Sequence, residues 1–200
     1  MLTMMPMAAC DGSNADPILP EQPGQPGNSD GGDEDDSTNP TNPIPGGNGR
    51  YLVLYCSRTG STERMAQQIQ QTLDCDILEV EPQTPYESDY NGMLNRAQEE
   101  LAAIRQGNYP AIKTSVEDFG NYDIVFVGYP IWYGSMATPM QTFLHNHASK
   151  LAGKRIALFA SSGSSGISAS VDEARTLCSG ATFTETLLLT SSTLSQMGNR

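Results

Sequence analysis

Four hydroxyl side chains lie within six residues, directly after a short apolar segment. Residues 51–56 are followed by the first loop, which consists of Ser57, Arg58, Thr59, Gly60, Ser61 and Thr62. The start of a helix offers unpaired N–H groups at the positive end of its dipole, and hydroxyls add further donors. Gly60 lets the backbone approach a ligand, and Arg58 adds positive charge. The first loop is therefore predicted to bind phosphate, with simple capping of a helix as the alternative.

Two common nucleotide-binding patterns do not fit this loop. No lysine follows Gly60, as it does in the triphosphatase pattern G-x-x-x-x-G-K-S/T, and the dinucleotide pattern G-x-G-x-x-G is also missing from the loop. The predicted phosphate site therefore depends on hydroxyl and backbone donors, and it requires no metal ion.

The elements that must position this loop alternate along the chain. Apolar segments typical of buried strands alternate with segments of helical periodicity, the first of which starts at Glu63. Such alternation predicts a doubly wound α/β fold with a five-stranded parallel sheet and a ligand at the carboxyl ends of the strands. The predicted strands are 51–56, 77–80, 124–127, 155–160 and 183–189, and the later helices are 91–106, 139–147 and a segment after residue 166.

Two later strands also end in loops with distinctive side chains. The second loop offers aromatic rings and consists of Pro130, Ile131, Trp132, Tyr133 and Gly134. The third loop offers small residues and bare backbone, and it runs from Ser161 to Gly166 with Ser162, Gly163 and Ser164 between them. A planar, phosphorylated ligand would use all three loops.

Read together, the three loops resemble those of the flavodoxin-like family, in particular the bacterial lipoprotein-type flavodoxins, over about residues 50–197. The resemblance implies that flavin mononucleotide (FMN) is the cofactor, with its phosphate at the first loop and its isoalloxazine ring between the other two. Trp132 or Tyr133 would then stack on the ring, although packing in the core is the alternative for both. The family has glycine where Ser162 or Ser164 stands, so this loop departs from the family pattern.

The negative charge of the chain is concentrated before the predicted domain. The net charge is −12, and residues 1–50 contain eight acidic residues against Arg50 alone. This charge disfavours nucleic acid as a partner. Residues 11–49 are rich in Pro, Gly, Asn, Ser and Asp and have few large apolar side chains, so they are predicted to form a disordered acidic linker.

The first ten residues end in Ala8, Ala9 and Cys10, which resemble the lipobox of a bacterial lipoprotein. We expect residues 1–10 to be the remnant of a lipoprotein signal and the chain to be exported and held at a membrane by a lipid on Cys10. The segment is short and lacks Lys and Arg before Cys10, which departs from a complete signal. A chance cysteine in a Met-rich segment, and hence a cytoplasmic protein, is the alternative.

The remaining cysteines and the two histidines suggest no reactive centre. Cys56, Cys75 and Cys178 have no C-x-x-C spacing, so neither a metal site nor a disulfide framework is predicted. His145 and His147 are two residues apart, a spacing that places them on different faces of a helix. No spacing of Ser, His and Asp marks a triad, and no catalytic residues are predicted.

Three functions remain open for the domain predicted at residues 50–200. The first is an FMN-binding electron carrier tethered to a membrane, which exchanges electrons with a redox partner protein or a quinone. The second is an FMN-dependent NAD(P)H oxidoreductase of the quinone reductase type, and the third is a cofactor-free binding module. Because the family fold closes with a helix after the last strand, we also expect the sequence to be cut short at Arg200, without that helix.

Overall fold

The computed structural model describes residues 50–191 and residue 193. The predicted signal remnant, Cys10 and the predicted linker lie outside these described residues, as does most of the segment after the last strand. The predictions made for those segments therefore stay predictions.

Five parallel strands form the main sheet, in the order β2-β1-β3-β5-β6, and the short strand β4 pairs antiparallel with β3. This arrangement confirms the predicted parallel α/β fold. The strands are β1 Tyr51–Tyr55, β2 Asp76–Glu79, β3 Ile124–Trp132, β4 Ser135–Met136, β5 Arg155–Ser162 and β6 Thr182–Thr190.

Among the described residues, four helices flank the sheet on two sides. Helix α1 packs through Met65 and Ala66 on one face, while buried residues of α2, α3 and α4 belong to the larger core on the other face. Apolar side chains at helical spacing produce these contacts, since each helix must bury one stripe. The helices are α1 Ser61–Leu73, α2 Tyr90–Ile104, α3 Thr138–His147 and α4 Ser168–Leu177.

The order of the strands places the three predicted loops side by side. β3 lies between β1 and β5, and all three run in the same direction. Their carboxyl ends therefore meet at one edge of the sheet, where the first, second and third loops begin. β2 lies next to β1, so the segment that follows β2 starts at the same edge.

The largest difference between the predicted and the observed strands is in the second loop. The third strand was expected to end at Val127, but β3 continues to Trp132 and turns back through Tyr133 and Gly134 into β4. Both turn residues have positive φ, 51° and 80°. The prediction that residues 130–134 form a loop was wrong, because a two-residue turn pairs Ile131 and Trp132 with Met136 and Ser135 in a β-hairpin.

Smaller differences affect where elements start and stop. α1 begins at Ser61 rather than Glu63, because Gly60 adopts a left-handed conformation, φ 78°, that ends the preceding turn there. β5 continues to Ser162, so the third loop loses its first two residues to the strand. The other predicted strand and helix ends either agree with the structure or differ from it by at most two residues.

The cysteines and histidines lie as their sequence context indicates. Cys56, Cys75 and Cys178 are free and buried. His147 is buried whereas His145 is exposed, which confirms that the two do not share a face. The described residues contain no group of three or more His, Cys, Asp and Glu side chains placed to hold a metal ion.

Candidate functional site

The three predicted loops converge on one cavity of about 500 Å³, called here the three-loop cavity. Of the predicted site residues, Gly60, Gly134 and Gly166 do not line it, although each lies in one of the loops. The predicted residues that line the three-loop cavity are Ser57, Arg58, Thr59, Ser61, Thr62, Pro130, Ile131, Trp132, Tyr133, Ser161, Ser162, Gly163 and Ser164.

The first loop leads directly into helix α1. Gly60 is the residue before the helix, and the first turn contains Ser61, Thr62 and Glu63. Backbone N–H groups in a first helical turn have no acceptor within the helix. The Gly60 position has no side-chain cap, so these donors stay available at the positive end of the helix dipole. This part of the loop is built to receive an anion.

A buried hydrogen bond joins the first and third loops. The hydroxyl oxygens of Thr62 and Ser161 are 2.8 Å apart, and the two residues are only 1% and 6% exposed. Each hydroxyl has one hydrogen to donate and can accept as well. The bond therefore fixes the start of α1 against the end of β5, and it leaves each hydroxyl further capacity toward the cavity.

Arg58 has a different position from the one expected. Its Nη2 donates to the backbone carbonyl oxygens of Glu87, Ser88 and Asp89, at 3.2, 2.9 and 3.2 Å. The guanidinium group therefore ties the first loop to the segment before α2. Its charge is directed at those carbonyls, so a phosphate bound at this loop would be held chiefly by neutral donors.

The two aromatic residues of the second loop have opposite environments. Trp132 is 9% exposed and belongs to the core, whereas Tyr133 is 55% exposed. The ring of Tyr86 packs edge to face on Trp132, with the centroids 5.0 Å apart. Trp132 is therefore largely packed in the core, as the alternative interpretation expected, although it still lines the cavity. Tyr133 is the ring of this loop that is open to a stacking ligand.

The third loop supplies two buried hydroxyls and open backbone. Ser161 and Ser162 complete β5 and are buried, while Gly163 and Ser164 are exposed. A Cβ atom added at Gly163 or Gly166 would meet no other atom within 4 Å. The backbone of this loop is thus accessible to a ligand, although Ser162 or Ser164 stands where the resemblance implies glycine.

Several residues of the cavity were not predicted. The start of α2 contributes Tyr90, Met93 and Leu94, and Ser165 and Ser191 complete the lining. The sequence feature that could have indicated the residues of α2 is the turn-rich segment 83–91. This segment follows β2 and so begins at the same sheet edge as the three loops. No local pattern indicates which of its side chains reach the cavity.

Burial and negative charge change the titration of groups near the first loop. Burial raises the pKa of Glu79, and the charges of Glu81 and Glu63 raise it further. Burial also raises the pKa of the Tyr55 hydroxyl, which lies 3.4 Å from a Glu79 carboxylate oxygen. Both groups therefore lose their protons less readily than the same side chains do in water.

The fold and the site define an α/β protein whose ligand cavity is formed by the loops after the first, third and fourth strands of the main sheet. Residues 50–199 match the family model of flavodoxin. The chain belongs to the flavodoxin family.

Solved structures agree with this assignment. The chain is similar to a protein of Bacteroides eggerthii DSM 20697, provisionally described as a flavoprotein, with 31% identity, TM-score 0.62, and coverage of 75% of this chain and 96% of that one. A similarly described protein of Bacteroides uniformis ATCC 8492 is 28% identical, with TM-score 0.62 and coverage of 78% and 99%.

A third similar structure contains a cofactor. It is a flavoprotein of Lactobacillus acidophilus NCFM in complex with FMN, with 25% identity, TM-score 0.61, and coverage of 74% of this chain and 98% of that one. A comparison with curated protein sequences finds no match. Among the described residues, no helix is long and apolar enough to cross a membrane.

Proposed function

We propose that this protein binds FMN noncovalently in the three-loop cavity and acts as an electron carrier. The observation that supports this proposal most directly is the convergence of three chemically different loops on a single cavity of about 500 Å³. Ligand cavities of roughly 300–1,000 Å³ are usual for small molecules and cofactors. Membership of the flavodoxin family and the similarity to a flavoprotein in complex with FMN favour the same cofactor.

The donors of the first loop fit a phosphate group. Ser57, Thr59 and Ser61 bring hydroxyls to the cavity, and the first turn of α1 adds backbone N–H groups. Such donors can hold a phosphate without a metal ion, because the helix dipole favours negative charge at this end. Arg58 would contribute indirectly, by fixing the loop against residues 87–89.

The second and third loops fit a planar ring. Tyr133 offers an exposed aromatic face, Ile131 adds apolar surface, and the backbone of Gly163 is uncovered. Contacts between stacked aromatic rings contribute roughly 0.5–1.5 kcal/mol beyond the burial of area. Bound FMN would supply one-electron and hydride chemistry, while these residues would orient its ring and shield it from water.

Binding of FMN is tested by titrating the full chain while following the visible flavin spectrum and the emission of Trp132, the one Trp in the sequence. We expect quenching, because Trp132 lines the cavity. Thr59→Ala should weaken binding about fivefold, equivalent to roughly 1 kcal/mol for one hydrogen bond. Thr72→Ala is the matched control, since Thr72 is exposed on α1, the helix that follows the first loop, and does not line the cavity. Unchanged spectra at saturating FMN would refute the cofactor assignment.

The carrier role is separated from a reductase role by stopped-flow mixing of the FMN-loaded protein with NADH, NADPH and a one-electron donor. We expect fast exchange with the one-electron donor and slow or no reduction by either nicotinamide. Reduction by NAD(P)H at about ten per second or faster would make the protein an enzyme of ordinary speed. That outcome would identify the protein as an FMN-dependent oxidoreductase. If the protein is a carrier, its expected partner is a redox protein or a quinone.

We also propose that the domain is held at a membrane by a lipid on Cys10. The support is the sequence Ala8-Ala9-Cys10 followed by a long acidic segment rich in proline and glycine. A tether of about 40 flexible residues spans roughly 35 Å on average, enough for a carrier to reach partners at the same membrane. Fractionation of cells that express wild type and Cys10→Ser tests this, and recovery of both in the soluble cytoplasmic fraction would refute it.

A further inference from the structure

A second cavity of about 660 Å³ lies at the carboxyl end of β2 and is called here the β2 cavity. It meets the three-loop cavity at Ser57, Arg58, Thr59, Pro130 and Trp132, which line both. Its other walls belong to the end of β2, to the segment before α2 and to the start of α3. The proposed FMN site uses none of these other walls, so the β2 cavity has no assigned occupant.

The lining of the β2 cavity is partly apolar. Its apolar members are Val80, Pro82, Pro85, Tyr86, Trp132 and Pro139. A flat ring can bind among such residues because its apolar area is removed from water. These residues can hold a small ring against Tyr86 and Trp132.

The ring of Tyr86 is fixed before any ligand arrives. Its hydroxyl is hydrogen-bonded to Glu100 and Thr138, and the guanidinium carbon of Arg96 lies 4.2 Å from its ring centroid. Arg96 also donates to the carbonyl oxygens of Thr84 and Pro85, at 2.9 and 2.8 Å. The wall is therefore preorganised, which lowers the entropy cost of binding.

The lining of the β2 cavity also has an excess of negative charge. Glu79, Glu81 and Glu87 are among the lining residues, and Arg58 is the one cationic residue among them. The Arg58 guanidinium is occupied by three backbone carbonyls, as described above. An anionic ligand such as a nucleotide would be repelled here, which makes this cavity unsuited to FMN or NAD(P)H.

Glu79 is the carboxylate available to a ligand. Glu81 has its own cation, since the Nζ of Lys113 lies 3.3 Å from a Glu81 carboxylate oxygen. Glu79 ends β2, and its carboxylate accepts a long hydrogen bond, 3.4 Å, from the Tyr55 hydroxyl. A cation placed beside Glu79 would offset both its burial and the repulsion of its acidic neighbours.

We propose that the β2 cavity binds a small organic cation, with a flat apolar body against Tyr86 and Trp132 and an ammonium or amidinium group at Glu79. Such a molecule matches the apolar and the acidic lining residues at once, because its body buries apolar area and its charged group meets a carboxylate. The ligand is thus of a different chemical class from FMN. It would lie beside the proposed cofactor, with Trp132 in the wall between them.

The test uses benzamidine, a flat cation, and benzamide, a neutral molecule of nearly the same shape. Each is titrated into the full chain, with and without FMN, by calorimetry and by the emission of Trp132. We expect benzamidine to bind at least tenfold more tightly than benzamide. Glu79→Gln should remove most of that difference, because it keeps the shape and the hydrogen bond to Tyr55 but removes the charge.

Glu99→Gln is the matched control, since Glu99 is exposed on α2 and does not line the cavity. It should leave both affinities unchanged, and circular dichroism with FMN titration establishes that each variant is folded. Equal binding of the two probes, no binding of benzamidine at millimolar concentration, or full retention of the preference in Glu79→Gln would each overturn the proposal. FMN binding without benzamidine binding would refute only this inference, whereas the reverse result would refute only the cofactor assignment.

Discussion

Tyr86 and Trp132 pack edge to face, with their ring centroids 5.0 Å apart and their planes at 76°. They are 46 residues apart in the sequence, and they join the segment after β2 to the end of β3. The turn at Tyr133 follows directly, so this contact fixes the side chain just before the exposed ring of the proposed cofactor site. Tyr86 is a positioning residue for that loop.

Replacing Tyr86 by alanine should release Trp132 from its buried position. We expect a red shift of Trp emission and a loss of about 2–4 kcal/mol in the free energy of unfolding, as for truncation of other packed aromatic side chains. Tyr86→Phe keeps the ring and should leave the emission unchanged, at a cost of roughly 1–2 kcal/mol for the hydrogen bonds to Glu100 and Thr138. Urea unfolding and emission spectra measure both effects.

Tyr109→Ala is the control for this pair of variants. Tyr109 also stacks on an aromatic side chain, His145, at 3.8 Å between centroids, and it lines neither of the two cavities that Trp132 lines. Its removal should not shift the emission. A Trp spectrum in Tyr86→Ala identical to that of wild type would contradict the positioning role.

The buried hydrogen bond between Thr62 and Ser161 should contribute to both stability and FMN affinity. Thr62→Val leaves the Ser161 hydroxyl buried without this partner, which costs about 1–3 kcal/mol. The double variant with Ser161→Ala removes both groups, so it should be less destabilised than the sum of the single variants. Urea unfolding of the four proteins measures the coupling, and strictly additive losses would show that the bond contributes nothing.

Much of the fold follows from local sequence because its central strands are buried on both faces. The apolar segments of β1, β3 and β5 and the helical periodicity after each of them predict a parallel sheet, and its order brings their loops together. The site residues follow for the same reason. A loop that begins at the carboxyl end of a central strand must lie at the ligand edge.

The details that were missed depend on contacts between distant residues. Arg58 binds carbonyls at residues 87–89, and the burial of Trp132 depends on Tyr86, so no local pattern contains either contact. The hairpin between β3 and β4 was missed because Tyr133 is a non-glycine residue with φ 51°, which is uncommon and has no sequence signature here. The β2 cavity likewise forms from segments that are separate in the sequence.

Gly128 should tolerate no side chain. It lies in β3 beside Phe159 of β5, and a Cβ atom at residue 128 would overlap the Phe159 ring. Gly128→Ala should therefore lower the free energy of unfolding by about 1–3 kcal/mol through overpacking. Adding Phe159→Leu makes room and should recover part of this specific loss, so that the double variant is more stable than additivity predicts.

Gly166→Ala is the control for the glycine variant. The position of its Cβ atom is open, so its effect on stability should be close to zero. Thermal unfolding in the absence of FMN compares the proteins. Equal midpoints for Gly128→Ala and wild type would contradict the close packing of β3 on β5.

Buried His147 should make stability depend on pH. Its Nδ1 lies 2.8 Å from the carbonyl oxygen of Phe143, and its Nε2 lies 3.2 Å from the backbone nitrogen of Val116. A carbonyl oxygen can only accept, so Nδ1 carries the proton and donates it to Phe143. The Val116 N–H can only donate, so Nε2 is unprotonated and accepts from it. A second proton on Nε2 would face the Val116 N–H. Burial lowers the pKa of His147, Lys150 lowers it further, and the Phe143 carbonyl and Glu117 oppose the shift.

A lowered pKa in the folded state means that the unfolded chain binds the proton first. As pH falls below about 6.5, the ordinary histidine value, stability should decrease until the folded pKa is passed, by at most about 1.4 kcal/mol per pH unit. His147→Gln removes this contribution, so its free energy of unfolding should change less than that of wild type between pH 7.5 and 5.5. His145→Gln, at the exposed histidine, should retain the wild-type slope. NMR titration of the ring protons of His147 measures its pKa, and a value at or above about 6.5, the ordinary histidine value, would contradict the prediction.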